Sequence, residues 1–286
     1  MSKSEFLVPI FGGTGNQMFQ AAYAVTIGKK FGIQPVFVQM TDRGTTARNW
    51  ELGAFDIFPA KIGPARFKRM RLRSSIAREI QKLTKKPALG VIFDKGVRCI
   101  PQPKSQPRIV SGYWQSKSYF ENNEDGVAQL FKFPDMGNDK TVMQIQQKPR
   151  SVAIHIRRGD YVSDPAARHQ HLICNEAWYE DCWKYMRSKI TNCHAFVFSD
   201  DPAWVKENLN FDGDVTVVDS TPDEEPWKDM ARMSFCENFI ISNSSYSWWA
   251  AYLSASQDKI VVAPENWFNG VPTASIGICP EEWVLR

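Results

Sequence analysis

Short apolar runs alternate with longer segments of helical spacing at the start of the chain. Residues 6–11 form an apolar run, and residues 16–31 repeat apolar side chains at intervals of three and four before Gly32. A second strand-like run follows at residues 35–40. The order strand, helix, strand predicts a βαβ unit, which favours a parallel sheet. We therefore predict the α/β class for this part of the chain.

The second half of the chain repeats this alternation more clearly. Asp201 and Pro202 mark the start of one helix, because aspartate caps helices and proline fits the first turn. Short strands that alternate with helices are typical of a doubly wound sheet. The pattern predicts strands at residues 151–156, 194–200, 215–219, 238–243 and 259–264, and helices at residues 175–190, 201–209 and 244–255.

The alternation is interrupted at residues 146–150, where Pro149 lies among polar and charged residues. We place a domain boundary at this interruption. The predicted domains are therefore residues 1–148 and residues 149–286.

Composition indicates a globular protein with a modest positive charge. The 286 residues are 43% hydrophobic, and the formal net charge is +4. The N-terminus lacks the basic stretch and apolar core of a secretory signal, and no apolar run approaches the roughly 18 residues of a spanning helix. We therefore expect a soluble, cytoplasmic protein. The six cysteines form no CxxC pair, and neither they nor the four histidines show the spacing of a zinc site, so we expect no metal site. We expect reduced thiols, because a cytosolic chain of this size does not need disulfides.

Three glycines follow the first predicted strand, at Gly12, Gly13 and Gly15. Glycine lets the backbone turn tightly and approach a ligand, and the helix that begins near Asn16 presents free N–H groups. The spacing is similar to a dinucleotide-binding fingerprint, but Met18 stands where that pattern needs its third glycine. We therefore disfavour a dehydrogenase. A tight turn that binds no ligand is the other interpretation.

Two adjacent arginines follow the predicted strand at residues 151–156. The strand carries His155, Arg157, Arg158 and Asp160 to one edge of the sheet, where ligands bind in open α/β folds. Guanidinium groups are permanently charged and bind phosphate oxygens in a forked geometry, so the pair suits a pyrophosphate. The alternative is that one arginine forms an internal salt bridge with Asp160.

A third polar cluster follows the predicted strand at residues 238–243. Asn243, Ser244 and Ser245 lie between this strand and a helix, and two hydroxyls beside a helix N-terminus can bind an anion. In a simpler interpretation a serine only caps the helix, while Trp248 and Trp249 lie in the core. Both interpretations can hold together, because a cap can also face a ligand.

Four segments together resemble the α-1,2-fucosyltransferases of glycosyltransferase family 11. They are GGTGNQMFQ from Gly12, HIRRGDYV from His155, DMARMSFCENFIISNSSYSWWAAYL from Asp229 and IVVAPENWF from Ile260. Their combination in this order is specific, and the likeness covers nearly the whole chain. It implies a GT-B fold, in which two Rossmann-like domains face a central cleft. It also implies that the donor GDP-fucose is used without a metal or other cofactor.

The resemblance implies a role for each matching residue. Arg157 would hold the β-phosphate of the donor and stabilise charge on the leaving diphosphate. Arg158 would brace the site, while His155 and Asp229 would contact the guanosine. The chain departs from the family pattern at Tyr246, where phenylalanine is common. Other donor contacts would come from Asn243, Ser244, Ser245 and Tyr246, and, across the cleft, from Gly13, Gly15, Asn16 and Gln17.

The implied reaction is a single displacement that inverts the anomeric carbon of fucose. The expected nucleophile is the 2-hydroxyl of a terminal galactoside, in a bacterial surface glycan such as an O-antigen. Asp160 is the candidate base, because a positioned carboxylate can accept the hydroxyl proton. Two alternatives are open: Asp160 orients an arginine, or a phosphate oxygen takes the proton.

Residues 65–86 are strongly basic, with nine lysines and arginines against one acid, Glu79. Apolar residues recur among them at partly helical spacing. Basic amphipathic helices are typical of proteins that bind anionic membranes. We therefore expect peripheral contact with the inner face of a membrane, where a lipid-linked glycan would be found. A solvated face of an ordinary helix is the alternative.

Other functions compete with fucosyl transfer to a galactoside. A non-catalytic protein that binds nucleotide sugars or glycans is one, although a pure lectin has no use for a diphosphate site. A fucosyltransferase with a different acceptor linkage is another. A nucleic-acid-binding module is supported only by the basic segment, and a net charge of +4 is weak support, so we expect no nucleic-acid partner.

Overall fold

The computed structural model describes residues 4–40, 49–84, 86, 88–94, 103–159, 169, 174–219 and 224–286. The chain divides into two compact units, Met1–Lys132 and Phe133–Arg286. This division comes earlier than the predicted one after Lys148. Residues 133–148 belong to the second unit because they contact it directly: Asp139 lies 2.8 Å from the guanidinium of Arg232.

The N-terminal unit is built on a four-stranded parallel sheet with the order β2-β1-β4-β3. Its predicted βαβ unit is confirmed, since β1 pairs in parallel with β2 and the helix between them ends at Gly32, where φ is 64°. The elements are β1 (Glu5–Ile10), α1 (Thr14–Phe31), β2 (Gln34–Gln39), α2 (Pro64–Thr84), β3 (Val91–Phe93), β4 (Ile109–Ser111) and α3 (Glu124–Leu130), with 3-10 turns at Leu52–Phe55, Lys117–Tyr119 and Glu121–Asn123.

The C-terminal unit is built on a six-stranded parallel sheet with the order β12-β9-β8-β5-β6-β7. Its elements are α4 (Lys140–Gln146), β5 (Ser151–Ile156), α5 (Glu176–Lys189), β6 (His194–Ser199), α6 (Pro202–Asn208), β7 (Val215–Val217), α7 (Trp227–Ser234), β8 (Asn238–Ile241), α8 (Ser245–Leu253), β9 (Val261–Ala263), β10 (Asn266–Phe268), β11 (Val271–Pro272), α9 (Thr273–Ile276) and β12 (Val284–Leu285).

Counted from its own first strand, β5, this sheet has the 3-2-1-4-5-6 strand order of a Rossmann fold. Strands β6 and β7 lie on one side of β5, and β8, β9 and β12 lie on the other. The direction of winding therefore changes between β5 and β8, and ligands of such folds bind outside the carboxyl ends of the strands at that point. The predicted α/β class is confirmed.

Burial explains why β5 and β8 form the centre of this sheet. Every residue of both strands is buried, as expected for parallel strands covered on two faces. Trp248 and Trp249 of α8 are completely buried, and the indole N–H of Trp248 donates to the carbonyl of Ile278 at 2.9 Å. The five cysteines among the described residues are free thiols, and Cys99 lies outside them. No helix in the described part of the chain combines the length and apolarity needed to cross a membrane.

Candidate active site

The carboxyl ends of three neighbouring strands bring the polar motifs of the C-terminal unit together. In the register of the sheet, His155 of β5 lies beside Phe198 of β6 and Ile241 of β8. The segments that follow these strands therefore start at the same edge of the sheet. They carry the arginine pair, an aspartate pair and a serine pair.

Arg157 is held at this edge by Asp200. Its Nη1 atom lies 2.6 Å from Oδ2 of Asp200, and the two side chains are 30% and 28% exposed. The other oxygen of Asp200 accepts the backbone N–H of Arg158 at 2.9 Å, which fixes the orientation of the carboxylate. The guanidinium is thus oriented by the protein but still partly open to solvent, a state suited to binding an anion.

Gly159 makes this contact possible. A Cβ atom at position 159 would lie 2.6 Å from Oδ2 of Asp200, the same oxygen that pairs with Arg157. Any side chain there would push the carboxylate away from the arginine. The glycine between the arginine pair and Asp160 therefore has a steric role, which is independent of backbone flexibility.

Arg158 is engaged inside the unit. Its Nε atom lies 3.2 Å from Oδ2 of Asp201, and its Cζ atom lies 3.6 Å from the centre of the Trp204 ring. The predicted helix cap is confirmed, since Oδ1 of Asp201 accepts the N–H of Trp204 at 3.2 Å. The second arginine therefore braces the start of α6. Asp160 lies outside the described residues, so its role as a base stays a prediction.

His155 is buried near the end of β5. Its Nδ1 atom lies 3.0 Å from the hydroxyl of Ser242, and its ring centre lies 5.7 Å from that of Tyr246. Burial, helped by the positive charge of Arg157, lowers the pKa of His155 from 6.5 to about 3. The lowered pKa favours the neutral imidazole near pH 7, which suits its hydrogen bond with Ser242. Its predicted contact with guanosine stays a prediction.

The serine pair begins helix α8. Ser244 is its N-cap, and the hydroxyl accepts the N–H of Tyr246 at 3.3 Å. Ser245 is the first residue of the helix. The side-chain amide of Asn243 is buried and donates to the carbonyl of Trp267 at 3.0 Å, so this residue fixes the loop. The cap and the helix N-terminus lie at the sheet edge where the donor contacts were predicted.

The hydroxyl of Tyr246, the departure from the family pattern, links α8 to α7. It accepts the N–H of Met230 at 2.8 Å and donates to the carbonyl of Pro226. Those two groups are the donor and acceptor that would form the first hydrogen bond of α7. The tyrosine hydroxyl is therefore inserted into the first turn of α7, which carries Asp229.

Asp229 belongs to an ion network around Arg232 that the sequence interpretation missed. Arg232 is 8% exposed, and its guanidinium lies within 3.0 Å of carboxylate oxygens of Asp139, Glu224 and Asp229. The hydrogen bond from Arg232 lowers the pKa of Glu224. The spacing of Asp229 and Arg232, three residues apart on a helix, was a signal for this pair. Contact of Asp229 with guanine stays a prediction.

The glycine motif of the N-terminal unit forms the turn between β1 and α1. Gly12 has φ of 81°, a conformation that favours glycine, and Gly13 is the N-cap of α1 with no atom within 4 Å of a Cβ built on it. Oδ1 of Asn16 accepts the amide of Gln115 at 2.5 Å. Gly15 lies in the first turn of α1. The turn is therefore open in front of Gly13, where a ligand could approach the backbone.

Gln17 supports this turn from inside the unit. Its amide nitrogen donates to the carbonyls of Gly12 and Asn49, both at 2.8 Å, and its amide oxygen accepts the N–H of Glu51 at 3.0 Å. The side chain is 1% exposed. The amide thus shapes the glycine turn, and contact of Gln17 with the donor stays a prediction.

Comparison with known proteins identifies the family. The model of the family described as "Glycosyl transferase family 11" matches residues 80–285. The chain belongs to glycosyl transferase family 11. This family 11 glycosyltransferase is therefore an enzyme, and the family predicted from the four motifs is confirmed.

Two bacterial relatives are informative about the kind of transfer. The O-antigen biosynthesis glycosyltransferase WbnK of Escherichia coli is 30% identical over 287 residues, which is 91% of this chain and 93% of that protein. An alpha-1,2-colitosyltransferase of Escherichia coli is 36% identical over 178 residues, 60% of each chain. The chain thus spans less than two thirds of the colitosyltransferase but almost all of WbnK. The name of the colitosyltransferase gives an alpha-1,2 transfer, and the name of WbnK gives O-antigen biosynthesis.

The chain also has more distant similarities. The human galactoside alpha-(1,2)-fucosyltransferase 1 is 26% identical over 189 residues, 61% of this chain and 51% of that enzyme. Among solved structures, the fucosyltransferase NodZ from Bradyrhizobium has a TM-score of 0.47 and 14% identity, with 87% of this chain and 92% of that chain covered.

Proposed function

We propose that this family 11 glycosyltransferase transfers L-fucose from GDP-fucose to the 2-hydroxyl of a terminal galactoside, with inversion at the anomeric carbon. The observation that carries the proposal is the position of Arg157. A cation that is oriented by Asp200 and partly open to solvent lies at the carboxyl edge of a Rossmann-type sheet, where its winding changes direction. The diphosphate of a nucleotide sugar fits this site by charge and geometry.

In the proposed reaction, the bond between the anomeric carbon and the β-phosphate oxygen breaks with its electrons going to the diphosphate. A new bond forms on the opposite face of the sugar from the 2-hydroxyl oxygen of the acceptor. Arg157 stabilises the growing negative charge, and the N-terminus of α8 adds a positive partial charge nearby. We propose that these groups take the place of a metal ion. The hydroxyl proton goes to Asp160 or to an oxygen of the departing GDP.

A second donor is favoured by one comparison. The bacterial relative with 36% identity is named a colitosyltransferase, and colitose differs from fucose by the absence of the 3-hydroxyl. A site that hydrogen-bonds a hydroxyl of its substrate rejects the analogue that lacks it by about 10⁴-fold or more, whereas a site without such a bond discriminates weakly. Rates with the two GDP-sugars therefore separate the two donors.

The test is an acceptor screen. The enzyme is incubated with GDP-fucose or GDP-colitose and a set of β-galactosides, GDP release is followed, and the product linkage is read by NMR. An α-1,2 linkage to galactose with GDP-fucose supports the proposal. Faster transfer of colitose, or a linkage to another hydroxyl, would replace it with one of the alternatives. Binding of GDP-fucose without any GDP release would indicate a non-catalytic binding protein.

We further propose that the acceptor is an O-antigen-like glycan. The relative matched over nearly its whole length is named for O-antigen biosynthesis, which supports this class of acceptor. An acceptor that is assembled on a lipid carrier would lie at a membrane surface. The proposed place of action is therefore the inner face of a membrane.

A further inference from the structure

Helix α2 carries an exposed row of large apolar side chains. Leu72 is 60% exposed, Ile76 is 44% exposed and Leu83 is 86% exposed. At 3.6 residues per turn these three positions fall within about 40° of one another around the helix axis, so they form one stripe along its outer side. A stripe of this kind is costly in water and calls for an explanation.

The apolar stripe is separate from the face by which α2 packs on its own unit. The packed face is formed by Met70 and Ala77, which are 3% and 1% exposed, with Phe67 beside them. Those positions lie on nearly the opposite side of the helix from Leu72 and Leu83. Helix α2 therefore packs on the N-terminal unit through its buried face, and the outer stripe takes no part in that packing.

Basic side chains border the stripe on both sides. Lys68 projects on one side of it and Arg69 on the other, and both residues are exposed. The single acid of the helix, Glu79, is paired with Lys82 at 2.8 Å. The helix therefore presents apolar side chains between two positively charged margins.

The positive charge of the chain is concentrated on this helix. Its 21 residues carry seven lysines and arginines and one acid, a net charge of +6, against +4 for the whole chain. The rest of the chain therefore carries a net charge of −2. The positive electrostatic potential around α2 is therefore local to this helix, because the rest of the chain is not basic.

The apolar stripe and the positive charge of α2 together favour one kind of partner. A second copy of the chain would bring another helix of charge +6 against the first, and repulsion opposes that contact. A nucleic acid would be attracted by the arginines but offers nothing for a row of leucine and isoleucine. An anionic lipid surface accepts both, because its headgroups attract the margins and its acyl region takes the stripe.

We propose that α2 docks the enzyme on an anionic membrane surface, with Leu72, Ile76 and Leu83 in the headgroup region and basic side chains against lipid phosphates. Docking of this kind would hold a lipid-linked acceptor and the enzyme at the same surface. Docking does not depend on the identity of the donor sugar. The vesicle-binding test of docking and the transfer test of the proposed function can therefore fail independently.

The experiment is flotation of the full chain with phosphatidylcholine vesicles, with and without phosphatidylglycerol. We expect binding only to the vesicles that contain phosphatidylglycerol, and loss of that binding in about 1 M salt, where the screening length falls to about 3 Å. Lys68→Gln/Arg69→Gln should weaken partitioning about 25-fold, because each basic residue near the surface contributes about fivefold. Leu72→Ser/Leu83→Ser should weaken it about tenfold or more.

The control variants remove an exposed apolar side chain or two exposed charges outside α2. Met143→Ser removes an exposed apolar side chain from α4, and Lys184→Gln/Lys206→Gln removes two exposed charges from the C-terminal unit. These variants should bind vesicles like the unchanged protein. All variants should transfer sugar to a soluble β-galactoside at the unchanged rate, while the α2 variants lose rate on an alkyl β-galactoside embedded in anionic vesicles.

Three outcomes would overturn the proposal. They are no binding to phosphatidylglycerol vesicles, equal binding to neutral vesicles, and an equal loss in the α2 and control variants. Self-association that depends on Leu72 and Leu83, measured by sedimentation, would assign the stripe to a dimer contact instead.

Discussion

Asp200 is predicted to keep Arg157 in its working orientation, and Asp200→Asn tests this with little change of shape. The amide oxygen of asparagine can still accept the N–H of Arg158, a bond of 2.9 Å, so the loop should keep its path. What is lost is the charge opposite Nη1 of Arg157 at 2.6 Å. A charge-assisted hydrogen bond contributes about 1.5–3 kcal/mol net when shielded.

The partial exposure of this pair reduces that magnitude. Both side chains are nearly one third exposed, so solvent screening brings the expected contribution down to about 1–1.5 kcal/mol. If the energy is used to orient Arg157 toward the leaving diphosphate, its loss lowers kcat about tenfold. Affinity for GDP should change less, because the arginine remains charged and can still reach the phosphates.

Gly159→Ala should give the same effect by a steric route. The added methyl would lie 2.6 Å from Oδ2 of Asp200 and would move the carboxylate without removing its charge. The assay is the steady-state rate of GDP release with a soluble β-galactoside, beside a thermal melt. Asp181→Asn, which breaks an exposed pair of 3.4 Å with Lys184, is the control and should leave kcat unchanged. Full activity in both Asp200→Asn and Gly159→Ala would refute the role assigned to Asp200.

Three further predictions concern stability. The pKa of His155 is about 3 in the folded protein and 6.5 ordinarily, so between these values the unfolded chain binds a proton that the folded chain does not. The neutral histidine therefore contributes its full stabilisation above pH 6.5, and this stabilisation is lost as the pH falls toward 3. Urea unfolding should show a loss of about 2 kcal/mol from this group between pH 7 and pH 5, which His155→Asn removes. Arg232→Gln should lower the free energy of unfolding by about 2–3 kcal/mol, because it leaves carboxylates of three residues without their shared cation. Tyr246→Phe should cost about 1 kcal/mol, since it removes one hydroxyl with two partners.

Each of these stability predictions has an outcome that contradicts it. An unchanged pH dependence in His155→Asn would show that the imidazole is protonated or exposed in the folded state. Arg187→Gln, which removes an exposed arginine that donates to the carbonyl of Asp212, is the control for Arg232→Gln, and equal effects would contradict the network. A stability of Tyr246→Phe equal to that of the unchanged protein would show that α7 closes its first turn without the hydroxyl.

The sheet of the C-terminal unit could be predicted from the sequence because its strands are buried on both faces. Runs such as residues 151–156 are almost continuously apolar, and the helices between them have clear caps at Asn175 and Asp201. Strands β3 and β4 could not be found in this way. Each has three residues, which is too short to show a period, and their places are set by long-range pairing, β4 with β1 and β3 with β4.

A site residue could be predicted where its type has few other uses. A residue whose role depends on a partner distant in sequence was harder to predict. An arginine pair at a strand end indicates an anion, so Arg157 was identified from its position. Its partner Asp200 directly follows another strand, β6, and only the sheet register brings the two together. The structural roles of Gln17 and Asn243 were missed for the same reason. Their side-chain amides donate to the carbonyls of Asn49 and Trp267, which are distant in sequence.

The central claim is that Arg157 stabilises the diphosphate as the glycosidic bond to fucose breaks, and the rate of GDP-fucose turnover by Arg157→Ala tests it most directly. We predict a loss of about 10²–10³-fold in kcat with an unchanged fold, as for the removal of one group that stabilises transition-state charge. Arg157→Ala/Asp200→Asn should be equally slow, which excludes an effect of the unpaired carboxylate alone. Turnover of Arg157→Ala within a few-fold of the unchanged enzyme would contradict the account.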